Sequence, residues 1–377
     1  MSLESAMQRL DAAWENPEGT ARKMHADGCK VVGFLGATVP VELIAASGAY
    51  PFRLKGSAPG VDYGATDLSD TLMEPVRETY LRQLFDRMLK GDLEWIDLLV
   101  IPRTSEGLLQ LYYLIDYARS LDIGQRMPRV YLLDLLQTQH DYSIRYNRKV
   151  LSDFAERLGE ITGTLPDEAA ITLEIAATNE TRRAFRDLCT SGKLTGIQRL
   201  KLSAFGQHEP RAEFKALIGE FQKAEPKAVS KAIALSGSTQ ENAAVYDAFA
   251  AHGVDIAIED HDWGAAIYEH DASLEDDPIA ALEARYRVHG LSLRQFVRRQ
   301  PELGVDGKPT QISAVAFFFE ENDDTLGWEY PDEKTRLERV NLKSIVLRGP
   351  VGSEACQKAI SDFAAQLPVR AGGTAND

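Results

Sequence analysis

"GFLGATVPVELIAASGAYPFRLKG", Gly33–Gly56, is the stretch whose reading decides the fold. Lys30–Leu35 supplies Val, Val and Phe, residues that suit a buried strand. Pro40 fits the first turn of a helix, and Gly48 fits its C-terminal end. A second short strand then leads to Gly56. Strand, helix and strand packed this closely predict a βαβ unit and a parallel sheet.

The pattern continues outward from this unit. Residues 1–28 read as a helix and a lead-in over the surface. A longer helix is expected from Pro75 to about Leu89, with Leu81, Leu84, Phe85 and Met88 on one face. "WIDLLVIP", Trp95–Pro102, is a continuous apolar run of the kind buried on both faces of a parallel sheet. A Leu- and Tyr-rich helix follows from Glu106 to Arg119, then a strand from Arg129 in "RVYLLDL". Tyr146 to Gln222 reads as successive helices, broken at "GTLPDEA" and around "AFGQHEP". "KAIALSGSTQENAAVYDAFAAHGVDIAIEDHDWG" restores strand, turn, helix and strand. "ISAVAFFF" and "LKSIVLRG" add two more strands, separated by a helix from Pro331 to about Val340.

The expected architecture is therefore α/β, with two Rossmann-like parallel-sheet domains and an intervening helical segment. The expected boundaries are 1–28 for the helical lead-in, 29–145 for the first domain, 146–225 for the helical segment and 226–368 for the second domain. The polar, Gly-rich end, 369–377, is expected to be disordered.

With 377 residues, 44% hydrophobic and 26% charged, the chain has the composition of a soluble two-domain protein. Its net charge of −15 argues against nucleic acid or an anionic membrane as the main partner. No apolar run is long enough for a membrane span, and the N-terminal residues do not resemble a signal peptide. A cytoplasmic protein is the expectation. Cys29, Cys189 and Cys356 are far apart and show neither zinc-like spacing nor a CxxC pair. Cys29 is expected to open a strand, Cys189 to follow a helix and Cys356 to lie in a late helix, each as a packing residue.

Ligands of open parallel sheets gather beyond the carboxyl ends of the strands. Those ends are "GATVPVE", "PRTSEG" and "EENDDTLGWEYP", with "MEPVRE" at the head of the long helix. With these in view the chain resembles the 2-hydroxyacyl-CoA dehydratase and benzoyl-CoA reductase subunit family, from about Val31 to Arg348. Val39, Pro40, Glu42, Leu43, Ile44, Ala45, Ala46, Gly48, Pro51 and Gly56 follow that family's signature. "TNETRR" at Thr178–Arg183, the βαβ unit ending at Asp260 and "LGWEYP" at Leu326–Pro331 support it.

The resemblance implies paired homologous subunits, each with two Rossmann-like domains, that pass one electron from an iron–sulfur cluster to a CoA thioester. The family holds its cluster through three cysteines. Here Glu74 stands at the first position, with Pro75 and Arg77 kept. Ser105 stands at the second, with Glu106 beside it, and Asp323 at the third, with Asp324 kept. Iron–sulfur clusters need soft thiolates, whereas these residues offer hard oxygens, so no [4Fe–4S] cluster is expected on this chain. By the same resemblance, Thr38, Pro40, Glu42, Glu106 and Asp324 would line an acyl-CoA cleft.

Each replacement also has a structural reading. Glu74 suits a helix start, Ser105 an N-cap and Asp323 a turn. Gathered in one cleft, the three could bind a hard divalent cation or serve as acid and base. Asp260, His261 and Asp262 look metal-friendly but are expected in a solvated loop. "LSGSTQEN", Leu235–Asn242, could hold a phosphate on its N–H groups but lacks the dinucleotide fingerprint. Arg145, Arg148 and Lys149, or Arg294, Arg298 and Arg299, could meet CoA phosphates or form solvated faces. Three functions follow: a cluster-free subunit beside a cysteine-bearing, cluster-holding homologue; a stand-alone acyl-CoA enzyme using Glu74, Ser105 and Asp323; or a non-catalytic scaffold.

Overall fold

The computed structural model describes residues 2–56, 69–74, 78–123, 126–227, 229–291, 312–321 and 323–368. Apolar runs such as Leu98–Pro102 must be covered on both faces, and they form the centres of two four-stranded sheets, all of whose pairs are parallel. The first sheet holds β1 (Val31–Phe34), β2 (Tyr50–Arg53), β3 (Leu98–Pro102) and β4 (Val130–Leu133), in the order β2-β1-β3-β4. The second holds β5 (Ala232–Gly237), β6 (Asp255–Glu259), β7 (Ala314–Phe319) and β8 (Lys343–Arg348), in the order β6-β5-β7-β8. The two sheets thus share one strand order. In each, the order reverses beside the first strand, which places a ligand crevice at the carboxyl ends of β1 and β3 and of β5 and β7.

Alternate residues of the central strands serve separate cores. Leu99 and Ile101 pack with α4 (Thr79–Leu89) and α5 (Glu106–Ser120). Leu98 and Val100 face α3 (Val41–Ala46) and the long helices α6 (Asp141–Thr162) and α7 (Glu168–Thr190). In β7, Ala314, Ala316 and Phe318 pack on one face, and Val315, Phe317 and Phe319 on the other. Period-two packing on both faces is the signature of a sheet sandwiched between helix layers. A further core of Phe185, Phe205, Phe214 and Phe221 joins α7 to α8 (Gly196–His208), α9 (Arg211–Phe221) and the N-terminal helix α1 (Leu3–Glu15).

The remaining helices are α2 (Gly19–Ala26), α10 (Ala244–Ala250), α11 (Pro278–His289), α12 (Asp324–Gly327), α13 (Tyr330–Arg339) and α14 (Glu354–Ala365). Several element ends differ from expectation. The helical stretch begins at Asp141, ahead of Tyr146. The expected break at "AFGQHEP" narrows to Glu209–Pro210, because α8 continues through His208 and Pro210 caps α9. An unexpected break falls at 191–195, where Gly192 takes a left-handed φ of +71° and Thr195 and Gln198 form a capping box. Cys189 accordingly lies inside α7 rather than after a helix. Of the helix expected from Pro75, the part from Thr79 is present, and residues 75–77 lie outside the described residues. The tail 369–377 and Arg294, Arg298 and Arg299 also lie outside them. Among the described residues no helix is long and apolar enough to cross a membrane.

Candidate functional site

The opening stretch works through Glu42. Pro40 is the N-cap of α3, just ahead of the first turn where the sequence placed it, and that turn directs Glu42 fully into the interior. There Glu42 accepts hydrogen bonds from Arg182 Nη2 at 2.6 Å and from the Tyr286 hydroxyl at 2.8 Å. Burial alone would raise this carboxyl, but Arg182 and Arg285 hold it below its ordinary value. Arg182 is itself braced by Asn179, which exchanges hydrogen bonds with the backbone of Ala272. The "TNETRR" segment and the Gly33–Gly56 signature are therefore two halves of one buried hub joining α3, α7 and α11.

The other end of the stretch reaches the second sheet. Gly56 N–H donates to Glu241 Oε2 at 2.9 Å, just past β5. A side chain at Gly56 would put its Cβ 2.3 Å from the Tyr80 carbonyl oxygen, so only glycine permits this approach. Arg53, 1% exposed at the end of β2, donates to Asp262 Oδ2 at 2.5 Å and to Gln207 Oε1 at 2.6 Å. Its guanidinium lies 3.9 Å above the Trp263 ring. Lys55 sits 3.8 Å over the Trp14 ring. The carboxyl ends of β2, β5 and β6 thus meet in one buried junction.

Its electrostatics are unusual. Burial pushes the Glu241 carboxyl up to about 7, against the pull of Gly56 N–H, Lys55 and Arg53. Burial likewise pushes the Lys55 ammonium down to about 8, against the attraction of Glu241. Tyr80 is partly buried. Burial, followed by Glu78, Glu241, Asp262 and Glu320, holds its phenol well above the ordinary range. This junction can hold or release a proton near neutral pH, as acid–base sites do.

Ser105 N-caps α5, accepting a hydrogen bond from Leu108 N at 3.2 Å. Asp323 N-caps α12 through Leu326 N at 3.2 Å, and its other oxygen accepts from the Ser238 hydroxyl at 2.5 Å. Ser238 in turn accepts from Glu320 N at 3.0 Å, so the strand ends of β5 and β7 are tied together. Glu74 is exposed, as is Glu106 at the first position of α5. The carboxyl oxygens of Glu78 lie where a Cβ on Gly107 would be, 2.6 Å from Oε2, which brings this acidic residue against the start of α5. Asp324 opens α12, and its side chain lies outside what is described. Thr38 and Pro40 are buried, Thr38 with its methyl against Gly290.

One expectation changes. The Asp260–Asp262 segment is not a solvated loop. Asp260 is 8% and His261 3% exposed. Ser236 donates to Asp260, His261 Nε2 meets the Tyr246 hydroxyl at 2.8 Å, and burial lowers the His261 imidazole to about 4. The segment is buried because Arg53 arrives from the other sheet to neutralise Asp262. In the Gly-Ser turn after β5, the side chains bond within the protein: Ser238 to Asp323, Thr239 to Asp262 at 2.6 Å and Glu241 to Gly56. Arg145, Arg148 and Lys149 are exposed on α6, with Lys149 paired to Asp153. Cys29 and Cys189 pack against separate cores, and Cys356 is buried in α14 with its thiol donating to the Arg348 carbonyl at 3.5 Å. Among the described residues no group of three or more His, Cys, Asp or Glu is arranged to hold a metal ion.

Arg53, Lys55 and Tyr80 were not singled out by the sequence pattern, Asp262 was read as part of a solvated loop, and Glu241 was passed over within the Gly-Ser turn. The available signal was position: each charged member closes or follows a strand at its carboxyl end. Comparison with known proteins adds the family. The model of the 2-hydroxyglutaryl-CoA dehydratase D-component matches residues 37–357, most of the chain. No curated protein matches it significantly. With this match laid over the same strand ends and the same Glu42 hub, the chain belongs to the 2-hydroxyglutaryl-CoA dehydratase D-component family.

Proposed function

We propose that this chain is a cluster-free subunit of a 2-hydroxyacyl-CoA dehydratase- or benzoyl-CoA reductase-like complex. In it, this chain shapes an acyl-CoA cleft beside a homologous, cysteine-bearing partner. The observation that carries this reading is a family match along residues 37–357 in a chain with Glu74, Ser105 and Asp323 at the positions equated with cluster ligands. Ser105 and Asp323 already spend oxygens on helix caps, and none of the three residues offers a thiolate. A [4Fe–4S] cluster does not suit such a donor set, because its iron is held by soft sulfur ligands. The cluster therefore belongs to the partner, and the acidic, soluble character of this chain suits a cytoplasmic enzyme.

The residues of this chain then have positional tasks. The Glu42–Arg182–Tyr286 hub holds α3 and the loop before it, where Thr38 and Pro40 shape the wall. Glu106 and Asp324, at the heads of α5 and α12, flank the crevice openings. The test is anaerobic co-expression with a homologue that keeps its three cysteines. A stable heterodimer containing iron and sulfide is expected. A monomer or homodimer that ignores such a partner would refute the reading.

A second reading has one observation in its favour, the Glu241 carboxyl held at about 7 beside Tyr80. A stand-alone enzyme working on a thioester could use that carboxyl as acid and base, with Glu74, Ser105 and Asp323 around it. Calorimetric titration of the isolated chain with acyl-CoA compounds distinguishes it from the first.

A further inference from the structure

Two four-stranded sheets leave four outer strands, and three of these are covered or guarded. β2 and β6 pack against α8, from which Arg199 donates to the Ile256 carbonyl of β6 at 2.6 Å. β8 is more open, but it carries the exposed Lys343 and Arg348 at its two ends. Charges so placed keep an edge from pairing with another chain. β4, "VYLL", has no charge, proline or bulge, and no strand among the described residues pairs with its outer edge. The carbonyls of Arg129 and Leu133 bond inward, to Leu99 N and Arg103 N. By the alternation of a strand, the N–H and C=O groups of Val130 and Leu132 point outward.

Helix α6 stands beside this edge. Asp153, Glu156 and Glu160 line an open groove with Val130, Tyr131 and Leu132. Steps of four and three carry the same helix face back through Lys149, Tyr146 and Tyr142, all exposed. Tyr142 is 59% and Tyr146 43% exposed, unusual for aromatic side chains with no partner in view. The charges of α6 are sorted by half. Arg145, Arg148 and Lys149 come first, then Asp153, Glu156 and Glu160, with Arg157 paired to Glu160 at 2.6 Å. With Asp141 the helix holds four basic and four acidic residues, in a chain of net charge −15. Most faces of so acidic a chain repel a copy of it, whereas this one is self-complementary when two copies run antiparallel.

We propose that this face is a two-fold interface with a second copy of the chain, formed by antiparallel pairing of β4 with β4. An axis through Tyr131 sets Val130 of each copy opposite Leu132 of the other, where the outward N–H and C=O groups bond reciprocally. The two Tyr131 side chains meet as a cross-strand aromatic pair. Tyr131 stacks on Phe154 with ring centroids 5.2 Å apart, so the axis crosses α6 near its middle. Arg145 and Lys149 of one copy then face the Glu156 and Glu160 end of the other. The interface does not rest on the subunit reading: a homodimer that ignores a cysteine-bearing homologue refutes that reading and leaves this one intact.

The test is sedimentation of the full chain at micromolar concentration, with urea unfolding to check the fold of each variant. A dimer is expected. Leu132→Pro removes an outward N–H and should leave a monomer. Arg145→Glu combined with Lys149→Glu should weaken the dimer about tenfold or more, because like charges then meet on both sides of the axis. Adding Glu156→Lys and Glu160→Lys to that pair should restore it, and these surface changes decide the matter if Leu132→Pro does not fold. A monomeric native chain, a dimer indifferent to the charge changes, or no recovery in the combined variant overturns the proposal. So does an effect of these variants on binding to a cysteine-bearing homologue alone, which would assign the face to that partner.

Discussion

Glu42 is inaccessible to solvent, yet it anchors three elements through one carboxylate. Taking its charge away leaves Arg182 and Arg285 as buried cations facing no anion on that side. Removing one member of a buried pair is far more damaging than the pair is stabilising, by about 3–5 kcal/mol. Glu42→Gln should lower stability by that amount in urea unfolding, and an unchanged midpoint would contradict the hub. Glu241 makes a prediction in pH. Its folded value, about 7, lies above the ordinary 4.5, so the folded chain binds more protons between those limits. The contribution is present in full below pH 4.5 and is lost as pH rises through 7. The stability of the native chain minus that of Glu241→Gln should therefore fall across this window. A flat difference would mean that Glu241 titrates normally.

At the scale of elements, Ser105 and Asp323 serve as helix N-caps. Ser105→Ala should cost about 1 kcal/mol of stability, the usual value of an N-cap serine. No loss would mean that the Leu108 N–H bond contributes nothing and that Ser105 is there for the cleft alone. The strands were legible in the sequence for a simple reason: runs such as "WIDLLVIP" and "ISAVAFFF" have to be buried on both faces. The compressed unit at Gly33–Gly56 was legible through Pro40 and Gly48, whose backbone preferences are local. Helix breaks were less so. Pro210 marks the start of α9 rather than the end of the disturbance before it, and Gly192 gives a turn without a proline. Burial of Asp260 and His261 was not legible at all, because it depends on Arg53 from a distant strand. Arg285 escaped notice for a related reason: two arginines in "EARYRVHG" read as a solvated helix face, and only the fold shows both of them buried.

At the scale of the molecule, two sheets of one strand order bring their carboxyl ends together, with Arg53, Lys55, Glu241 and Asp262 packed between them. In the proposed reading this geometry keeps the family scaffold, with Glu74, Ser105 and Asp323 standing at its three cluster-ligand positions. The proposed function is a division of labour: scaffold and cleft wall in this chain, redox centre in a partner. The most direct measurement is iron and acid-labile sulfide, read with the visible and paramagnetic resonance spectra, after anaerobic reconstitution. It is made on this chain alone and on its complex with a cysteine-bearing homologue. The account predicts no cluster in the isolated chain and a cluster in the complex that the partner's cysteines fully account for. A [4Fe–4S] signal from the isolated chain, or failure of any such complex to form, would contradict it.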